Sequence, residues 1–126
     1  MSYISTSDIT DKIADGFEVQ QYILESDDAV EDLAEKLGVR STSDIETSPV
    51  HHKVRRYAIA YCLMRLCQDK VGAASTDVPE ANKYLIGYEM YKKEVSSLTK
   101  EINYQMFTGE VNAVRDRVSS VDLSRG

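Results

Sequence analysis

The apolar positions of this chain recur with helical spacing, and one segment in the middle is apolar on almost every side. Between Tyr57 and Cys67 only Arg65 carries a charge, and neither Gly nor Pro interrupts residues 53–70. A helix that is apolar around most of its circumference is one that neighbouring elements cover. The sequence therefore predicts a central buried helix at 53–70, and its internal arginine and basic ends favour a core helix over a membrane span.

The residues before this segment predict two shorter helices. Ser5-Thr6-Ser7-Asp8 offers N-cap oxygens to a first short helix that stops at Gly16, and the apolar residues in 17–24 form a link back to the core. Ser26-Asp27-Asp28 suits the positive N-terminal end of a second helix, which Gly38 closes.

A second polar segment lies directly before the central helix. Ser41-Thr42-Ser43-Asp44-Ile45 repeats residues 5–9 residue for residue, and we interpret both runs as helix-capping segments, since five residues are too few for a structural repeat. Pro49 follows, and a proline suits the first turn of a helix, where its missing N–H costs little. We therefore expect Pro49 in the first turn of the central helix.

After a flexible link at residues 71–76, the pattern predicts one long helix. Thr76 or Asp77 caps it, Pro79 lies in its first turn, and Gly109 ends it. Its apolar positions step by three and four residues, which indicates a heptad seam formed by Tyr84, Tyr88, Tyr91, Val95, Leu98 and Ile102. A helix of about 28 residues would be about 42 Å long, longer than a compact domain of this size needs. It either bends or projects and packs on another subunit.

The polar C-terminal segment after Gly109 has one apolar stripe. Val111, Val114, Val118 and Val121 step by 3, 4 and 3 residues, and Leu123 follows. A segment this short and β-branched is unstable alone in water, so it is either a frayed terminus or an arm that orders on a partner. We predict an all-α fold, a small helical bundle with a central buried helix, a long C-terminal helix and an extended C-terminal arm. The helical domain spans residues 1–108 and the arm spans 109–126.

Charge is divided unevenly along the 126 residues, of which 42% are hydrophobic and 29% charged, as in a soluble single domain. Residues 1–49 hold 12 Asp and Glu against 3 Lys and Arg, whereas residues 50–126 hold 9 against 12. Acidic surface repels phosphates, so the first half is unsuited to nucleic-acid binding. These charges either solvate the domain or form a contact between copies of the chain. The predicted subunit contact joins Lys53, Arg55, Arg56 and Arg65 of one copy to Asp27, Asp28, Glu31 and Glu35 of the next.

No segment of the sequence predicts catalytic chemistry. Cys62 and Cys67 lie on different faces of one helix, which favours buried, reduced thiols in a cytoplasmic setting. His51 and His52 are adjacent, and neighbouring helix residues diverge by about 100°, so they do not share a tetrahedral metal easily. The chain has no phosphate-binding glycine loop and no hydrolase or metalloprotease motif. We therefore predict no catalytic residue, cofactor or metal ligand, and a protein that is not an enzyme.

Aromatic side chains are concentrated on the two main predicted helices. The five tyrosines at 57, 61, 84, 88 and 91 are expected to face each other across a seam. A platform on which single-stranded nucleic acid stacks would need surrounding Lys and Arg and an exposed sheet, which the pattern does not predict. We interpret the rings as core.

Residues 49–109, taken together, resemble the head–tail connector (adaptor, or head completion) proteins of tailed bacteriophages. The resemblance consists of Pro49 before a core helix at 54–62, a link that follows Asp69-Lys70, and a long Tyr- and Lys-rich helix. That helix contains Lys83-Tyr84 and the run 88–93, continues through 98–102 and closes at Thr108-Gly109. The opening residues 3–9 are similar to the family's short strand-like lead into a capped helix.

The resemblance implies a structural virion protein made in the host cytoplasm and placed in the neck, at the head–tail interface. Such a protein assembles as an oligomeric ring, typically a dodecamer, under the portal and joins it to the stopper or tail terminator. The ring lines part of the channel through which genomic DNA passes without specific binding. The C-terminal arm at Val111, Val114, Val118, Val121 and Leu123 would dock on the portal, and no membrane is involved. A stand-alone cytoplasmic helical protein-interaction module is the alternative.

Overall fold

The computed structural model describes residues 2–73 and 79–109 of the chain. These residues form four α-helices and three 3₁₀ turns, and they contain no strand. The helices are α1 (Gln20–Lys36), α2 (His52–Ala73), α3 (Pro79–Glu101) and α4 (Tyr104–Thr108), and the turns are at Thr6–Asp8, Lys12–Ala14 and Thr42–Asp44. The prediction of an all-α fold is confirmed. Within these ranges no helix has the length and apolar content needed to cross a membrane.

Helix α2 is the centre of the bundle, as its apolar sequence predicts. It packs most extensively against α3, next against α1, and more lightly against α4. Several of its side chains are at most 1% exposed, namely those of Val54, Ala58, Ala60, Cys62, Leu63, Leu66 and Cys67. These residues point in several directions around the helix axis, because helices cover α2 on more than one side.

Helix α1 begins six residues before the predicted start at Ser26, so that boundary was wrong. Tyr22 and Ile23 are buried in its first turn, and burial of these large side chains outweighs the absence of a capping side chain at Val19. Ser26 is buried inside the helix, where its hydroxyl donates to the Ile23 carbonyl at 2.7 Å. Gly38, at φ +101°, ends the helix as predicted.

The N-terminal segment contains two 3₁₀ turns instead of the predicted first helix. The Asp8 carboxylate accepts from the Ser5 backbone N–H at 2.8 Å, and Asp11 accepts from Ile13 N–H at 3.0 Å. Ser41 caps the third turn in the same way, through Ser43 N–H. The capping interpretation is therefore confirmed, but each cap starts a single short turn because the chain becomes extended at the isoleucine that follows.

The two prolines differ in their positions relative to the helices. Pro79 is the first residue of α3, as predicted. Pro49 instead lies in the loop before α2, joined to Ser48 by a cis peptide bond, and α2 begins at His52. Its predicted place in the first turn of α2 was wrong.

The predicted long helix is interrupted after Glu101. Asn103 is extended, at φ −131° and ψ 176°, and its side-chain oxygen accepts from Met106 N–H at 3.1 Å, so it starts the separate helix α4. The break allows Phe107, which is fully buried, to turn back onto the core, and Glu46 N–H donates to its carbonyl at 2.6 Å. Gly109, which was predicted to end the long helix, instead ends α4, at φ +70°.

The predicted seam of α3 is its inner face. Tyr84, Tyr91, Leu98 and Ile102 are buried, and the side chains of Tyr88 and Val95 pack partly buried against the same core. Gly87 also lies on this face, where a Cβ atom would be 2.8 Å from Ile13 Cδ1 and 2.9 Å from Cys67 Sγ. The absence of a side chain at this position allows α3 to approach α2 and the N-terminal segment closely.

Candidate subunit-contact surfaces

The basic residues of α2, which the sequence analysis assigned to a subunit contact, are engaged mainly within the chain. Lys53 Nζ lies 3.1 Å from Glu101 Oε1, and Arg56 Nη2 lies 3.4 Å from Glu94 Oε2. The hydrogen bond from Lys53 lowers the pKa of the Glu101 carboxyl, since it stabilises the charged form. Both ion pairs join α2 to α3.

Arg65 joins α2 to α1 instead. Its Nε donates to Glu25 Oε1 at 2.7 Å, its Nη2 lies 3.7 Å from Asp69 Oδ1, and it also contacts Gln68. The hydrogen bond to Glu25 raises the pKa of the Arg65 guanidinium above its ordinary value. Arg55, in contrast, is exposed and forms no ion pair with any described residue. Of the four basic residues, Arg55 is therefore the most accessible to another chain.

Two of the four predicted acidic contact residues hold the N-terminus onto α1. Asp27 is buried, and its carboxylate accepts from Ser2 Oγ at 2.8 Å and from Tyr3 N–H at 3.1 Å. Glu31 accepts from the Tyr3 hydroxyl at 3.0 Å, and burial followed by this bond raises the pKa of Tyr3. Asp27 is thus unavailable to a neighbouring copy in this conformation. The subunit contact itself, between basic residues of one copy and acidic residues of the next, stays a prediction.

Helix α1 has an exposed acidic stripe, which we define as Leu24, Asp28, Asp32 and Glu35. These side chains are exposed, they step by 4, 4 and 3 residues, and Leu24 is 54% exposed. Residues three and four apart on a helix share one face. The stripe is therefore apolar at its N-terminal end and acidic along the rest of its length.

An open groove of about 410 Å³ adjoins the acidic stripe. Its walls include Asp28 and Asp32 of α1, and Tyr57 and Tyr61 of α2, whose ring centroids lie 6.3 Å apart. Burial is the largest of the effects that raise the pKa of Tyr57. The groove combines aromatic and acidic side chains, which suits basic or amphipathic groups of a partner.

The tyrosines of α2 and α3 do not form the single seam that was predicted. Tyr84 packs edge-on against Phe17, with ring centroids 6.3 Å apart, and the Tyr91 hydroxyl donates to Asp11. Both rings therefore contact the N-terminal segment, whereas Tyr57 and Tyr61 contact each other. The core interpretation holds for Tyr57, Tyr84 and Tyr91, which are buried.

The outer face of α3 has a surface that the sequence analysis missed, which we call the apolar–lysine stripe and define as Leu85, Ile86, Met90, Lys92 and Lys93. Glu89 is also exposed on this face, so the stripe carries two positive charges and one negative charge. Leu85, Ile86 and Met90 are 43%, 69% and 51% exposed, and both lysines are exposed. The signal was present in the sequence, because these apolar residues lie out of register with the Tyr84–Ile102 seam. A second apolar face on one helix indicates a second contact.

The histidine pair differs in geometry from the prediction. His51 precedes the first residue of α2, and the rings of His51 and His52 stack with centroids 4.5 Å apart, so the argument that they diverge was wrong. His51 Nδ1 accepts from Lys53 N–H at 3.1 Å, and burial lowers the pKa of His51, with His52 and Lys53 adding to the shift. Among residues 2–73 and 79–109, no group of three or more His, Cys, Asp and Glu is placed to hold a metal ion.

Both cysteines are free, fully buried thiols, as predicted. Burial raises the pKa of Cys62 to about 12 and that of Cys67 to about 11. A thiol with such a pKa is protonated near neutrality and is a poor nucleophile. These residues act in the core as small apolar side chains.

The predicted portal-docking residues Val111, Val114, Val118, Val121 and Leu123 lie outside the described residues, so their role stays a prediction. Comparisons with protein-family models, curated proteins and solved structures find no match for this chain. The function is therefore inferred from the residues themselves and from the surfaces of the helical domain.

Proposed function

We propose that this protein is a structural component of a tailed-bacteriophage virion, a head–tail connector that forms a ring between the portal and the stopper or tail. The observation that carries the proposal is the presence of two exposed faces of opposite net charge on one helical domain. Asp28, Asp32 and Glu35 lie on α1, and Lys92 and Lys93 lie on α3. Two different, complementary faces suit repeated head-to-tail assembly, which closes as a ring when the rotation between copies allows it.

The ion pairs of the domain support a structural role. Arg65 holds α1 against α2 through Glu25, and Lys53 and Arg56 hold α2 against α3. The Tyr22 hydroxyl adds a further link by donating to Asp69 at 2.9 Å. These contacts fix the relative positions of the helices, which a ring subunit needs in order to present the same faces to each neighbour.

Exposed acidic residues that lie off both stripes, such as Asp15 and Glu18, also agree with a DNA channel. Duplex DNA carries a dense row of negative phosphates, and a surface without compensating lysines and arginines does not retain it. An acidic lining would therefore let genomic DNA pass without binding. The proposal assigns DNA as a passing partner and no sequence recognition to this protein.

The C-terminal arm is assigned to portal docking. The double variant Val114→Asp and Val118→Asp places two charges on the apolar stripe and is expected to abolish attachment to the portal while the helical domain stays folded. Binding is measured by sedimentation with purified portal rings of candidate phages, and folding by circular dichroism. A matched control, Asp116→Asn with Ser119→Ala, changes the same segment off the stripe. Normal portal attachment by the Val114/Val118 variant would contradict this role of the arm.

The function itself is tested by solution mass and negative-stain imaging of the full chain and of a chain ending at Gly109. Each is examined alone and with candidate portal rings. Rings alone, or added density beneath the portal that truncation removes, would support the connector. A full chain that neither forms rings nor binds any portal ring would contradict it.

The exposed apolar residues of α3 favour one alternative, a stand-alone helical protein-interaction module. Leu85, Ile86 and Met90 could receive an amphipathic helix of another protein. The measurement of solution mass and imaging separates the two functions. Such a module would be monomeric and would not bind portal rings, with or without its C-terminal segment.

A further inference from the structure

On both exposed stripes, apolar residues come before charged residues along the helix. On α1, Leu24 comes first and Asp28, Asp32 and Glu35 follow toward the C-terminal end of the helix. On α3, Leu85, Ile86 and Met90 come first and Lys92 and Lys93 follow. Glu89 is the one exposed carboxylate among these residues of α3, and it lies between Ile86 and Met90 in the sequence. Each stripe is thus mainly apolar toward the helix N-terminus and charged toward the C-terminus, with opposite net charge on the two helices.

The spacing along the two helices also agrees. With a rise of 1.5 Å per residue, Leu24 and Asp32 lie about 12 Å apart along α1, and Ile86 and Lys93 lie about 10.5 Å apart along α3. If the two helices lie side by side and run in the same direction with Leu24 level with Ile86, Asp28 is level with Met90, and Asp32 lies beside Lys92 and Lys93. An antiparallel arrangement would place Leu24 against the lysines.

The charged members of the stripes are not used by the fold. Among the described residues, the ion pairs involve Lys53, Arg56 and Arg65 on the basic side, and none includes Asp28, Asp32, Lys92 or Lys93. Lys92 Nζ lies 5.7 Å from the centroid of the Tyr88 ring, which leaves its ammonium group at the surface. Both stripes are therefore available to a second chain.

We infer that the acidic stripe of one copy binds the apolar–lysine stripe of the next copy, with α1 and α3 parallel across the contact. The partner is a second copy of this chain because the apolar-to-charged order and the net charges of the two stripes are complementary within the same molecule. The contact is heterologous, so it leaves one free stripe at each end of a dimer and continues to a ring or an open filament. The inference deepens the proposed function by naming the two faces, and it depends on that proposal only for closure of the ring.

The test reverses the charge of each stripe separately. Lys92→Glu with Lys93→Glu gives two acidic stripes, and Asp28→Lys with Asp32→Lys gives two basic ones. Each variant alone is expected to lose assembly, with self-association weakened by at least about tenfold, because like charges oppose each other across the contact. An equimolar mixture of the two is expected to regain the wild-type mass, since each contact then joins opposite charges. Mass is measured by analytical ultracentrifugation, and circular dichroism confirms folding.

Matched charge reversals elsewhere on the domain serve as controls. Lys12→Glu with Arg40→Glu, and Asp15→Lys with Glu18→Lys, change exposed residues off both stripes and should leave assembly near wild type. Added NaCl should weaken wild-type assembly by screening the charges. Stripe variants that assemble like wild type, or a mixture that stays monomeric while wild type assembles, would overturn the inference.

The behaviour of the wild-type chain, alone and with portal rings, separates this inference from the connector function. A wild-type chain that stays monomeric alone at every concentration tested would overturn the direct contact between copies. If that chain still adds density beneath a portal ring, the connector function stands and the contact between stripes is rejected. If wild type assembles through the stripes but ignores portal rings, the stripe contact stands and the connector is rejected.

Discussion

The inner and outer faces of α3 are both partly apolar, but only the inner face is covered within the chain. Tyr84, Tyr91 and Leu98 on the inner face are buried in the common core, whereas Ile86 and Met90 on the outer face are more than half exposed. Similar side chains therefore have different roles a few residues apart. The comparison shows that hydrophobicity identifies a face that needs a contact, and that the packing decides whether the contact is internal.

The inner face is also the more tightly constrained of the two. At Gly87 the backbone of α3 leaves no room for a Cβ atom beside Ile13 and Cys67. On the outer face the lysines and apolar side chains extend into solvent. Changes to the inner face are therefore expected to alter stability, and changes to the outer face to alter association.

The largest difference in the free energy of unfolding is expected between two side-chain truncations of similar size, one on each face of α3. Leu98→Ala removes a buried side chain and should lower the free energy of unfolding by about 2–5 kcal/mol. Ile86→Ala removes an exposed one and should change it by no more than about 0.5 kcal/mol. Denaturant unfolding, at a protein concentration too low for assembly, measures both. Equal destabilisation by the two variants would contradict the assignment of inner and outer faces.

A smaller loss of stability is expected when a side chain at position 87 blocks the close approach of α3 to α2. Gly87→Ala should lower the free energy of unfolding by about 1–3 kcal/mol through overpacking, against a helix-propensity gain of up to about 1 kcal/mol. Ser96→Ala, exposed on the same helix, is the matched control and should be neutral or slightly stabilising. Cys67→Ala should relieve part of the overpacking, so the double variant should be more stable than the two single effects predict. A Gly87→Ala variant as stable as Ser96→Ala would show that the seam has room for a methyl group.

An effect that is absent at neutral pH concerns the buried thiols. An unfolded thiol has its ordinary pKa near 9.0, whereas burial raises the pKa of Cys67 to about 11 and that of Cys62 to about 12. Because these pKa values are raised on folding, the protonated thiols contribute stability in full below the unfolded pKa. This contribution is lost as pH rises through the folded values. Unfolding measured between neutral and strongly alkaline pH should show this decline.

Two variants sharpen the pH prediction by comparing a buried thiol with an exposed apolar side chain. Cys67→Ala should make the alkaline decline less steep, since it removes one of the linked groups. Met90→Ala on the outer face should leave the slope unchanged. An alkaline slope that is the same in wild type and in the Cys67→Ala variant would contradict the role of the Cys67 thiol.

Much of the helical framework could be predicted from local sequence. The apolar run at 53–70 identified α2, the glycines at 38 and 109 identified two helix ends, and the spacing of Tyr84 to Ile102 identified the inner face of α3. Each of these signals is local, because helix periodicity and left-handed glycine caps depend on a few neighbouring residues. The proposed surfaces were predicted less well, since charge along the chain does not show which ions pair across helices.

The errors share one cause, which is contact between residues distant in sequence. Asp27 looked like a helix N-cap but is buried under the N-terminus, where it accepts from Ser2 and Tyr3. The basic residues of α2 looked free but mostly pair with carboxylates of α1 and α3. In both cases a tertiary partner took a side chain that local reasoning had assigned elsewhere.

The sequence by itself determined that this protein is helical, that α2 is its buried centre and that its two cysteines are core residues. It did so because apolar periodicity and the cost of burying charge act wherever the chain folds into a helix. Only the tertiary structure decided where α1 begins, that α3 breaks before Asn103, and which charged and apolar residues stay at the surface. Those outcomes depend on which distant side chains meet, and so the two complementary stripes became visible only in the folded chain.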